Sequence, residues 1–364
     1  MQSLKNIAVI ISSVLSVRRF FYYKGEFRKM RKMRREKMLK KAVSITAAAL
    51  LTITGLCGCS SNKTADTQNG ASAEKVYKIG ITQISDHPSL DNCRKGFIEG
   101  LKNEGFEEGK NIEIEYIGAQ DDMSKNTQIA QNFAGTKDLV CGIATPSAQA
   151  LYAVCLDKKV PVIFNAVSDP VAAKLAKSET EALPGISGVS DKLPVEAQLK
   201  LIRKILPDAK KIGILYSTGE ANSVSTLEDY KRLAPEYGFE IVDKGISKKA
   251  DVPAAADVIL NEVDCISNMT DNTVVASLAI ILEKANAKNI PVFGSEEEQV
   301  SNGCLACAGL DYIKLGVQAG EMAGKVLKGT DISTIPYQTI TESSVAVNKD
   351  AAAKLGITIP DDIK

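Results

Sequence analysis

Histidine and tryptophan are nearly missing: among 364 residues there is one histidine, His87, and no tryptophan. A single imidazole leaves no histidine pair for a catalytic zinc site. HExxH, GxSxG and the phosphate-cradling GxxxxGK[ST] run are all missing, which removes the commonest signatures of metalloproteases, serine hydrolases and P-loop NTPases. Isolated carboxylates are too common to indicate hydrolysis, so no catalytic residue is nominated and no metal or other cofactor is called for. Long apolar runs are also scarce. The longest, Ala42 to Leu56, and a second from Ile7 to Val17 both fall short of the ~20 residues that span a bilayer.

The excess of positive charge is confined to one end. The formal net charge is only +1, yet residues 1–58 hold 13 Lys and Arg against two acids, Glu26 and Glu36. From totals of 45 basic and 44 acidic side chains, 32 and 42 remain in the rest, a body of net charge −10. A body that acidic is a poor match for phosphate, so nucleic acid is not an expected partner.

The basic end reads as an export signal. From Met38, Lys40 and Lys41 precede the apolar stretch and then small residues. Residues 1–58 are therefore expected to be leader and signal peptide, with Met38 as the alternative translation start. Leu56-Cys57-Gly58-Cys59 resembles a bacterial lipobox, which makes Cys59 the expected lipidated residue. Cys57 is the alternative acceptor and would need cleavage after bulky Leu56. Residues 59–76 are polar and low in apolar side chains, as a tether from membrane to domain would be. The other six cysteines are Cys93, Cys141, Cys155, Cys265, Cys304 and Cys307. Cys304 and Cys307 have CxxC spacing but sit in the apolar run GCLACAGL without a second pair, so they read as small buried hydrophobes.

From Tyr77 onward, strand-like and helix-like segments alternate. KIGITQI (78–84) is an apolar strand, 90–103 has helical spacing, and NIEIEYI (111–117) alternates as a half-buried strand does. A helix at 122–134, a strand at 139–144, a helix at 146–156 and a strand at 160–165 complete a βαβαβαβ array, which predicts a parallel sheet. The pattern restarts at KIGILY (211–216). Helices are expected at 223–237, 250–261 and 272–288, and strands at 239–244, 264–268 and 290–293. The fold class is therefore α/β, with two Rossmann-like lobes of parallel strands, joined by the Gly- and Pro-punctuated segment 185–194.

Ligands of open parallel sheets sit beyond the carboxyl ends of the strands. The candidate binding residues come from those ends. Gln83 and His87 follow the first strand. Thr145, Pro146 and Ser147 open a helix whose amides and hydroxyls suit a carboxylate. Asp169, Asn222, Asp271, Asn272 and Glu296 occupy the other strand-end loops. Asp169 or Asp271 is the expected partner of an ammonium group, although either could be a turn or cap aspartate.

The strings KIGITQISDHPSLD, GFIEGLKNEGFEEGKNIEIEY, CGIATPSAQA, VSDPVAAKL, GVSDKLPVEAQL, YSTGEANS, DNTVVASL, IPVFGSEEE and GLDYIKLGVQAGEMA together resemble the bacterial ABC-transporter substrate-binding family whose members include tryptophan- and tyrosine-binding lipoproteins. The resemblance implies a fold like that of type I periplasmic binding proteins, with two lobes joined by three crossings. It implies a first lobe of residues 77–190 and 310–335, the helix 312–328 included, and a second of 191–309 and 336–364. It further implies an aromatic amino acid as ligand, a permease and its ATPase as partners, and a monomer anchored by lipid at the outer face of the cytoplasmic membrane. An exported sensor or adhesion lipoprotein of the same fold, or an exported α/β hydrolase, is the alternative.

Overall fold

The computed structural model describes residues 75–363; the expected leader, the Cys59 lipidation site and most of the tether lie outside them. The first lobe begins β1 (Tyr77–Gln83), α1 (Pro88–Asn103), β2 (Ile112–Gly118), α2 (Met123–Ala134), β3 (Leu139–Ile143), α3 (Thr145–Cys155), β4 (Val162–Asn165) and β5 (Ile186–Ser190). The second lobe follows with α4 (Val195–Ile205), β6 (Lys211–Ser217), α5 (Ala221–Leu233), β7 (Glu240–Ile246), α6 (Val252–Ile259), β8 (Cys265–Ser267), α7 (Asn272–Val275), α8 (Leu278–Ala287), β9 (Val292–Phe293), α9 (Glu297–Ser301) and β10 (Ala306–Gly309). The chain then returns through α10 (Tyr312–Leu327) and β11 (Gln338–Thr339) and ends with β12 (Ser344–Val347) and α11 (Lys349–Leu355).

The first sheet has the order β11-β5-β4-β3-β1-β2, with every pairing parallel. Its inner strands β3, β4 and β5 are buried along their whole length, as strands covered on both faces must be. β2, at the edge, keeps its alternation and sends Glu115 out to Lys137 Nζ at 2.5 Å. The second sheet runs β7-β6-β8-β9, also parallel, and β10 pairs antiparallel with β12.

Three hydrophobic clusters follow from this layout. One holds the first lobe, including Leu315, Ala319 and Met322 of α10 and Ile340 beyond β11. The other two lie on the two faces of the second sheet, one around Ile212, Tyr230 and Phe293 and the other around Ile259, Ile266 and Ile281. Helix α10 packs on α1 through glycines. A Cβ added at Gly100 would lie 2.1 Å from the Val317 carbonyl, and one at Gly320 would lie 2.1 Å from the Phe97 carbonyl.

Three boundaries differ from the expectation. The segment 185–194 is not simply a connector, because Ile186–Ser190 forms β5 and pairs with β4; the crossing proper is Asp191–Pro194. Residues 336–340 belong with the first lobe, because β11 pairs with β5 and Ile340 is buried in the first cluster. The single helix expected over 272–288 is two, α7 and α8. The Ser277 hydroxyl donates to the Thr273 carbonyl at 3.0 Å, a local side-chain bond of the kind that competes with the helix ladder. Among the described residues the six cysteines are buried and unpaired, as small core residues would be.

Candidate functional site

The carboxyl ends of the two sheets face each other across a narrow, nearly closed cleft. His87, Leu90, Ala144 and Thr145 line it from the first lobe, Asn222, Asn272, Val275 and Glu296 from the second, and Asp191 and Tyr312 from beside the crossings. The lobes also touch directly. Ser168 Oγ lies 3.2 Å from Thr270 Oγ1, Ser225 Oγ donates to Asp169 Oδ2 at 2.5 Å, and Asn92 Nδ2 donates to Glu298 Oε1 at 2.6 Å.

Backbone geometry at the first wall is unusual. Ala144 and Ala166, beyond the ends of the neighbouring strands β3 and β4, have φ of 69° and 59°, a region that residues with a Cβ rarely enter. Such strain persists where the surroundings enforce it, often at binding sites. Here Ala144 is the N-cap of α3, so no side chain caps that helix. Thr145 is only 1% exposed and its Oγ1 has no partner. Pro146 has no N–H to offer, which leaves the Thr145 hydroxyl and the first-turn amides of α3 as free donors at the wall. The Ser147 hydroxyl is already committed, donating to Asn126 Oδ1 at 3.3 Å, while the Pro146 carbonyl accepts from Asn126 Nδ2 at 3.0 Å.

The matching helix start across the cleft is filled. The carboxylate of Glu220 accepts from the amides of Asn272 and Thr273 at 3.1 Å each, from Asn272 Nδ2 at 2.6 Å and from Thr273 Oγ1 at 2.8 Å. Donors without a protein partner therefore stand at the helix start in the first lobe, whereas those at α7 are taken by Glu220. Asn222, held by the Thr270 carbonyl at 3.0 Å, leaves its buried Oδ1 without a partner.

The expected ammonium partners stand elsewhere. Asp271 is fully buried and outside the cleft lining. It is the N-cap of α7, accepting from Val274 N at 2.8 Å and from Ser217 N. Burial and then the charge of Glu220 push its carboxyl well above the usual range. Asp169 lies outside the lining too, accepting from Ala172 N at 2.9 Å and tying the lobes through Ser225. Gln83 is buried behind the wall, donating to the Ser85 carbonyl at 3.0 Å and to Asp91 Oδ1 at 3.1 Å.

The carboxylates that do line the cleft are Glu296 and Asp191. Glu296 is 1% exposed; its Oε1 accepts from Gln299 Nε2 at 2.8 Å and its Oε2 has no partner. Burial, then the charge of Glu298, raises its carboxyl to about 8. Asp191 accepts from Ser168 Oγ at 3.0 Å and from the Tyr312 hydroxyl at 2.8 Å, and burial raises its carboxyl as well. His87, partly buried, has no partner for Nδ1. Desolvation pushes its imidazole down to about 4, against the opposing pull of Asn272 and the charges of Asp91, Asp121 and Asp86.

The structure thus brings His87, Thr145, Asn222, Asn272 and Glu296 to one cleft and leaves Gln83, Pro146, Ser147, Asp169 and Asp271 behind it or beside it. Sequence reasoning missed Asp191, Tyr312, Glu220, Ser168 and Thr270. Ser168 and Thr270 stand in strand-end loops already noted, whereas Asp191 and Tyr312, 121 residues apart, meet only through the crossings.

Residues 78–364 match the model of a protein family described as ABC transporter substrate binding protein. The chain is 41% identical to a tyrosine-binding protein of Clostridioides difficile, over 87% of this chain and 92% of that one. Among solved structures it is similar to a domain from Streptococcus pneumoniae in complex with L-Trp, at 33% identity and a TM-score of 0.77, covering 79% of this chain and 97% of that one. It is also similar to the ligand-free, open structure of a substrate-binding protein with adhesive properties from Clostridium difficile, at 40% identity with the same coverages but a TM-score of 0.61. In this chain the lobes are held against each other by the hydrogen bonds that run between them.

Proposed function

The chain belongs to the ABC transporter substrate-binding proteins, and from that premise we propose that its solute is an aromatic α-amino acid, tyrosine or tryptophan. One observation carries the reading: buried polar atoms without partners converge from both lobes on one cleft, Thr145 Oγ1 and His87 Nδ1 on one side and Glu296 Oε2 and Asn222 Oδ1 on the other. Unsatisfied buried groups are costly, and a ligand that completes them recovers that cost.

The arrangement gives the amino acid a direction. Its carboxylate meets the start of α3, where donors are free and the helix dipole favours an anion. Its ammonium meets Glu296, with Asp191 behind. Leu90, Val275, His87 and Tyr312 supply apolar and aromatic surface for the ring. The names of two relatives, one tyrosine-binding and one crystallised with L-Trp, support the aromatic class.

Proteins of this family work outside the cytoplasm, and the loaded protein would pass its solute to a permease driven by an ATPase. Attachment through lipid on Cys59 and action as a monomer complete the proposal. Calorimetry on the purified protein tests the ligand: L-tyrosine or L-tryptophan should bind with micromolar or tighter affinity, about −8 kcal/mol or better. Tight binding of a sugar with no heat from either amino acid would overturn the assignment.

A further inference from the structure

We propose that the buried carboxylates at the hinge form a charge gate: the lobes close only when one positive charge, the ligand's ammonium or a proton, reaches Glu296. The gate rests on the functional reading above and concerns how that site rejects solutes lacking an ammonium.

The geometry places the gate where closure must pass. Asp191 lies on the first crossing. Glu296 bridges to Leu310 on the second, and Tyr312, two residues on, bonds to Asp191. Glu298, at the start of α9, donates nothing; its Oε1 accepts from Asn92 of the first lobe and its buried Oε2 has no partner. Closure thus gathers three carboxylates, Asp191, Glu296 and Glu298. The other groups facing them are the Tyr312 phenol from α10, the Cys93 thiol from α1 and the Cys304 and Cys307 thiols around β10. No lysine or arginine lines the cleft, and His87 on the far wall is itself held toward its neutral form. Glu296 lines the cleft, and among the described residues its buried Oε2 has no partner.

The sign follows from linkage. In the closed arrangement the Glu296 carboxyl sits near 8, far above the ~4.3 of a solvated glutamate. Closing around a ligand without a positive charge therefore takes up a proton and becomes easier as pH falls below about 8. A ligand carrying an ammonium supplies the charge itself, so its binding takes up no proton at Glu296. At pH 6.5 a solvated imidazole is half protonated, so expelling that proton from His87 on closure opposes the slope by no more than about twofold.

Calorimetry with L-tyrosine and with its deaminated analogue, 3-(4-hydroxyphenyl)propionate, separates the two cases. From pH 8 to pH 6.5 the analogue should gain roughly tenfold in affinity while L-tyrosine stays within about twofold. In Glu296→Gln the analogue's pH dependence should vanish, with its pH 8 affinity close to the wild-type value at pH 6.5. Equal slopes for the two ligands, a slope that persists in Glu296→Gln, or no binding of the analogue at pH 6.5 would each overturn the gate. Failure of L-tyrosine and L-tryptophan to bind at any of these pH values would instead overturn the functional reading beneath it.

Discussion

Thr145 and Asp271 each open or cap a helix that points at the cleft, and their side chains do opposite things. The Asp271 oxygens are taken by the amides of Val274 and Ser217, so the residue holds α7 against β6. Losing it removes an N-cap, about 0.5–2 kcal/mol, and strands a buried amide, about 1–3 kcal/mol. Relief of the repulsion with Glu220 offsets part of this. Asp271→Ala should therefore destabilise by roughly 2 kcal/mol in urea unfolding, with ligand affinity in the folded protein changed by only a few fold. Thr145 Oγ1 has no partner to lose, so Thr145→Val should leave stability unchanged. It should weaken amino-acid binding about 2- to 10-fold, less than the full worth of a hydrogen bond to a carboxylate, because the amides of the helix start remain. Loss of affinity in Asp271→Ala and none in Thr145→Val, by calorimetry, would reverse these roles. Both residues stand at strand ends and look alike in sequence; which one has its oxygens already occupied depends on Ser217, 54 residues from Asp271.

Between elements, the tightest constraint is the α1–α10 seam. Gly96 and Gly100 on one helix meet Gly316 and Gly320 on the other, so the two backbones run in contact where side chains would normally separate them. This seam ties the returning segment to the first lobe and fixes Tyr312, the first residue of α10, beside Asp191. A methyl at Gly100 would meet the Val317 carbonyl at 2.1 Å and would have to push the helices apart. Gly100→Ala should cost about 1–3 kcal/mol despite alanine's better helix propensity, because overpacking outweighs that gain. The exposed neighbour Lys102→Ala is the control and should stay within about 0.5 kcal/mol. Equal urea midpoints for the two variants would show that the seam yields. Elements that satisfy themselves locally were readable: β1 and β3 as apolar runs, β2 by alternation, α1 and α2 by helical spacing. The short strands β5, β10 and β12 were not, because ISGVS, ACAG and SVAV carry little periodicity and become strands only through partners elsewhere in the chain.

At the scale of the whole molecule, the proposed anchor is lipid on Cys59, a residue outside the described part. Cys59→Ala should leave the precursor unprocessed or free of the membrane, while Cys57→Ala should be processed normally. Mass spectrometry of the mature N-terminus checks this, and an unmodified terminus beyond Cys59 would refute the anchor. By itself the sequence determined the α/β class, the duplication into two arrays and the loops from which a binding site could be drawn. It could do so because hydrophobic periodicity and strand-end composition are local properties. Only the tertiary structure decided which carboxylates line the cleft. Closure and the crossings bring Asp191, Glu296 and Tyr312 together from distant parts of the chain, while Asp169 and Asp271 are occupied by contacts within their own loops and across the lobes. A residue's role in a cleft depends on which of its polar atoms are still unpaired after folding, and that is settled by neighbours that sequence spacing does not reveal.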